Sequence, residues 1–94
     1  MRHIETNQAI ITELLLSDTG SLVGARILAN CLDGKWAYDF DPSYSQRENQ
    51  TLAAHRLCEN LGWHGRFIAV QLPDDRYCFV SVTESLSEIP AFVC

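Results

Sequence analysis

The chain has 94 residues, which suits one domain with a single small core. Its twelve acidic residues against seven basic ones give a formal charge of −5. That balance disfavours direct binding to nucleic acid or to an anionic membrane surface, because both depend on Lys and Arg neutralising phosphates. It fits a basic protein partner or plain solubility.

Lys35 is the sole lysine, so the positive charge is carried by arginine, whose fork-shaped head favours ion pairs with carboxylates. The N-terminus does not read as a signal peptide. The apolar run at 9–16 is interrupted by Thr12 and Glu13 and is too short to span a bilayer. The expected location is therefore the cytoplasm, with the four cysteines reduced. No Cys-x-x-Cys pair is present, and neither a metal site nor a cofactor is expected. Cys31, Cys58 and Cys78 fall at core-facing positions, and Cys94 reads as a mobile terminal thiol.

In chain order, residues 9–16 read as a strand with Ile10, Thr12, Leu14 and Leu16 on one face. A helix with an Ile10, Ile11, Leu14, Leu15 stripe is the alternative, and the β-branched Ile10-Ile11-Thr12 run favours the strand. A loop at 17–20 would pair Leu14 with Val23 and Thr12 with Ala25. Asp33-Gly34 is a two-residue turn signal. It predicts a hairpin pairing Cys31 with Trp36, Ala29 with Tyr38 and Ile27 with Phe40 on an apolar face. The other face is mostly polar, with Arg26 opposite Asp41.

Ser45-Gln46-Arg47-Glu48 is a capping box and Gly62 a left-handed terminator, so a helix is expected between them. Ala53, Ala54, Leu57, Cys58 and Leu61 share one face, small enough to approach a sheet closely. Glu48, Asn49, Leu52, His55, Arg56 and Glu59 lie opposite. A second hairpin is predicted from strands at 66–72 and 76–83. Placing Val70 beside Cys78 and Ile68 beside Val80 requires the odd loop Pro73-Asp74-Asp75, with Asp75 left-handed. The predicted fold is α+β: an antiparallel sheet of four or five strands with one helix on one face, in the order β-β-β-α-β-β.

Catalytic chemistry is present only in fragments. His55 and Glu59, four apart, could make a base and its orienter, but no nucleophile accompanies them; an ordinary i,i+4 surface pair explains them as well. Cys58 and His64 could be imagined as a thiolate pair, against which stands the predicted core position of Cys58. Gly62-Trp63-His64-Gly65 reads as a tight helix-to-strand connection, with Trp63 against the sheet edge. No enzyme is expected.

The second hairpin is apolar on both faces: Ile68, Val70, Cys78, Val80 and Val82 on one, Phe67, Ala69, Tyr77 and Phe79 on the other. The second set is the excess. The tail at 86–93, with Leu86, Ile89, Phe92 and Val93, could cover it, as could a second copy in a homodimer or a different protein. The candidate hydrophobic interface is thus Phe67, Tyr77 and Phe79, with Leu52 joining if it lies nearby. Asp33, Asp39, Asp41, Asp74, Asp75 and Glu59 form candidate acidic docking positions for a basic partner, with turn chemistry and a solvated surface as the plain alternative.

In size, charge and lack of motifs, the whole chain resembles the small acidic inhibitors of bacteriophages and mobile elements, including anti-CRISPR proteins. The resemblance implies a non-enzymatic protein-binding module acting in the bacterial cytoplasm by blocking a nucleic-acid-handling complex, such as a CRISPR effector, with acidic hairpins imitating nucleic-acid charge. The seven basic residues dilute that acidic field. A homo-oligomeric structural or regulatory component of a bacterial operon is the rival reading, and a small enzyme using His55 and Glu59 the third.

Overall fold

The computed structural model describes residues 4–20, 22–82 and 90–94. Strand β1 (Ile4–Leu15) is followed by β2 (Arg26–Cys31), β3 (Gly34–Asp39), helix α1 (Gln46–Leu61), β4 (Arg66–Leu72), β5 (Arg76–Val82) and β6 (Phe92–Val93). They form a six-stranded sheet in the order β3-β2-β1-β5-β4-β6, every neighbouring pair antiparallel. The α+β class and single helix are as expected. The sheet has one strand more than expected, because the tail adds β6 beside Arg66 and Phe67, while β1 joins the two hairpins by pairing with both β2 and β5.

The helix boundaries follow the local chemistry. Ser45 accepts from the Glu48 amide at 3.1 Å, and the Glu48 carboxylate accepts from the Ser45 amide at 2.9 Å. Gly62 ends the helix with φ at 72°. The second hairpin adopts the expected register, Val70 opposite Cys78 and Ile68 opposite Val80, across the Pro73-Asp74-Asp75 turn. Asp74 is left-handed as well as Asp75, with φ of 64° and 58°.

Two registers differ from expectation by an even step, so the faces survive. β3 is displaced by two residues: Ala29 pairs with Trp36 and Arg26 with Asp39, leaving Leu32 and Asp33 as the turn. Gly34 enters the strand at φ 139°, where a Cβ would lie 3.2 Å from the Trp36 ring. The absent side chain is what lets that ring lie over it. On the other side, Thr12 pairs with Ala29 and Leu14 with Ile27 rather than with Ala25 and Val23. A second turn, closed by the Ala25 amide on the Leu22 carbonyl at 3.1 Å with Gly24 at φ 81°, lengthens the connection.

The helix lies on the face that carries Phe67, Ala69, Tyr77 and Phe79. Ala54, Leu57 and Cys58 pack there with Ile10, Ala29, Phe67, Phe79 and Phe92 in the core cluster. Phe92 stacks on Phe67 with centroids 4.9 Å apart and is tilted against Phe79 at 5.8 Å. The aromatic set is therefore covered from within the chain, by the helix and the tail strand together. Val93 points away and is exposed, while Leu86 and Ile89 lie outside the described residues.

A buried polar tie pins the helix to the sheet. Gln50 is fully buried; its Oε1 accepts from the Thr12 hydroxyl at 2.6 Å and its Nε2 donates to the Asp75 carbonyl at 2.8 Å. Each end of the amide is satisfied, as burial of a polar group requires.

Candidate protein-binding surface

With the helix on one face, the opposite face of the sheet has no covering element among the described residues. Strand pairing sets its side chains in rows. Ile68, Val80 and Ala9 form one row, and Val70, Cys78 and Ile11 the next. Leu28 continues the face on β2 opposite Ala37. Val70 is 45% and Ile11 39% exposed, and the others are half-buried against one another. A shallow groove of about 520 Å³ runs between Ala9, Ile11, Asn30, Cys31 and Leu32 at one side of this block. Cys78 belongs to this open face, a correction to its expected core position.

The charges around the block are unevenly distributed. The register puts Lys35, Arg26, Arg76 and Arg66 on the open face, with Glu13 and Asp39 as the acids. Arg26 and Asp39 are ion-paired across β2 and β3 at 3.6 Å. The face is therefore cationic at its margins in a chain that is acidic as a whole.

Most of the expected acidic docking residues gather elsewhere, at one end of the fold. Asp41 follows β3, whose last residue is the Arg26-paired Asp39 of the open face, and Asp74 and Asp75 belong to the β4–β5 turn. Successive helix residues hold both loops. Asn49 accepts from the Asp41 amide at 2.7 Å and donates to the carbonyls of Asp41 and Ser45, each at 2.9 Å, while Gln50 grips Asp75. The expectation of Asn49 on the polar helix face is thereby corrected: it is buried. The Asp41 carboxylate accepts from the Ser43 hydroxyl at 2.6 Å and the Ser43 amide at 2.9 Å, which holds its pKa below the ordinary value. Glu48 is lowered likewise by the Ser45 amide and hydroxyl. The helix N-terminus beside them favours negative charge. Asp33 sits on the β2–β3 turn at the other end of the sheet, and Glu59 is exposed toward the helix C-terminus, so neither joins this group.

The expected hydrophobic interface is not assembled. Phe67 and Phe79 are fully buried and belong to the core. Tyr77 is half-buried with the Arg47 guanidinium 5.8 Å above its ring. Leu52 lies on the outer side of the helix, half-buried, where it lines a groove of about 300 Å³ with Tyr44, Arg47, Glu48 and Thr51. Strand alternation marks both faces as apolar but cannot say which of the two a helix takes.

His55 stacks on Phe92 at 5.0 Å, and no hydrogen bond or ion pair joins it to Glu59 among the described residues. Burial, followed by the neighbouring Cys94, pushes the Cys58 thiol up to about 12, the reverse of what a thiolate nucleophile needs. Among the described residues no cluster of three or more His, Cys, Asp or Glu is placed to hold a metal ion, and no helix is long and apolar enough to cross a membrane. Comparison with family models, curated proteins and solved structures returns no match.

Proposed function

We propose that this chain is a non-enzymatic protein-binding module that docks through the open face of its sheet. The observation that carries this reading is the apolar block Ile68, Val80, Ala9, Val70, Cys78 and Ile11, with helix α1 on the opposite face. Contiguous apolar surface of this kind is characteristic of interaction sites. Cations at the margins of the block suit a partner whose own apolar surface is rimmed by carboxylates, and suit a second copy less, since that copy would present the same cations. Inhibition of a larger bacterial or phage-targeted complex, the role implied by the resemblance to small acidic inhibitors, is one form such binding would take.

The test compares capture of bacterial proteins by the wild-type chain and by Val70→Lys, read by mass spectrometry. A species captured by the wild type and lost with the variant, at unchanged melting temperature, supports the reading. Equal capture rejects it. A concentration-dependent dimer mass in size exclusion that Val70→Lys abolishes would assign the face to a second copy instead.

A second reading rests on the acidic end of the fold. Asp39, Asp41, Asp74 and Asp75 would there meet a basic partner. Neutralising Asp39 and Asp41 together should weaken such binding while leaving stability nearly unchanged, and unchanged affinity would remove this reading.

A further inference from the structure

We infer that the free edge of β3 pairs with the β3 edge of a second copy of this chain, antiparallel and centred on Ala37. β3 stands at the end of the sheet order, and among the described residues its only strand partner is β2. The β2–β3 ladder fixes which backbone groups are already used. The Phe40 amide donates to the Ala25 carbonyl at 3.0 Å, so alternation turns the amides and carbonyls of Gly34, Trp36, Tyr38 and Phe40 toward β2. Those of Lys35, Ala37 and Asp39 therefore point outward along the edge. A row of this kind is a template for another strand. The Arg26 guanidinium guards part of it, donating to the Ala37 carbonyl at 3.2 Å and pairing with Asp39 at 3.6 Å. That carbonyl keeps a second lone pair, and the outward amides face no strand among the described residues.

The symmetry of the strand's own side chains selects a second copy. Lys35 and Asp39 lie at equal spacing on either side of Ala37, both exposed and both on the open face. Trp36 and Tyr38 flank Ala37 on the helix side, where the Asn60 amide donates to the Tyr38 hydroxyl at 3.2 Å. A two-fold axis at Ala37 sets each Lys35 opposite the other copy's Asp39, and each Trp36 opposite the other copy's Tyr38. The residues that exchange backbone bonds in this register are Lys35 with Asp39 and Ala37 with Ala37, the same ones whose amides and carbonyls point outward. Centring the pair on Lys35 or on Asp39 would oppose like charges, and centring it on Trp36 would oppose Asp33 and Asp39. The axis is perpendicular to the sheet, so both helices stay on one side and both open faces on the other. The edge contact is thus separate from docking through the open face, and the dimer presents that face twice.

Sedimentation equilibrium of the full chain, from about 1 µM to about 1 mM, reads the assembly. The wild type is expected to rise from the monomer mass toward twice that mass. Lys35→Asp and Asp39→Lys each set like charges across the seam and should weaken dimerisation by about tenfold or more. An equimolar mixture of these two variants should dimerise again, because the mixed pair restores opposite charges at both positions. Ala37→Pro removes an outward amide that β2 does not use, and should leave a monomer with a nearly unchanged melting temperature. Val70→Lys, on the open face, should dimerise as the wild type does. A wild type that stays monomeric throughout, a dimer that survives Ala37→Pro, or a mixture that fails to associate would overturn the proposal. A dimer lost in Val70→Lys would place the second copy on the open face and overturn the edge contact.

Discussion

The two faces of the β4–β5 hairpin are similar in composition and opposite in fate. One carries Phe67, Ala69, Tyr77 and Phe79, the other Ile68, Val70, Cys78, Val80 and Val82. The first is sealed by α1 and Phe92; in the second Val82 is buried at the strand end, and the rest have no covering element among the described residues. What separates them is not hydrophobicity but fit. The helix presents Ala53, Ala54 and Cys58, small side chains that let its axis approach, and large aromatic rings fill the space beneath. The flatter aliphatic set offers no such interdigitation and is left as surface that a partner could cover.

The sharpest way to break the sealed face is at its lid. Phe92→Ala removes the ring that touches Phe67, Phe79 and His55, and should cost about 3–5 kcal/mol in denaturant unfolding, enough to bring a small domain near its threshold. Next in size is the polar tie. Gln50→Leu strands the Thr12 hydroxyl and the Asp75 carbonyl and should cost about 1–3 kcal/mol, and pairing it with Thr12→Val should restore part of the loss. Ser45→Ala removes the helix cap and should cost about 1 kcal/mol, read as a lower denaturation midpoint at unchanged slope.

The smallest effect is a pH dependence. Asp41 and Glu48 have folded pKa values depressed below ordinary values of 3.8 and 4.5. Their contribution to stability is therefore complete above those values and is lost as pH falls through the folded ones. Asp41→Asn should lower the melting temperature slightly at neutral pH and leave it unchanged at acid pH, which flattens the acid limb of the profile.

Much of the fold was legible because local chemistry and tertiary need agree. The Ser45 box and Gly62 bounded the helix, and parity alone set the β4–β5 register. The covered face was not legible, since alternation reports that two faces are apolar without saying which meets the helix. Gly34 misled the first hairpin because it reads as a turn residue yet serves to admit the Trp36 ring. Gln50 lies on the buried stripe by its spacing from Ala53, Ala54 and Leu57, a position that its polarity masks. Of the candidate site, the individual acidic residues were visible, but their gathering around Asn49 and Gln50 depends on loops distant in sequence.

The most direct measurement sets Phe79→Ala beside Val70→Lys in the same equilibrium denaturation experiment. The two residues sit on adjacent strands and opposite faces. A sealed core and an open surface require Phe79→Ala to lose about 3–5 kcal/mol while Val70→Lys loses less than about 1 kcal/mol. If Val70→Lys unfolds the chain as readily as Phe79→Ala, the second face is core as well, and it is not a docking surface.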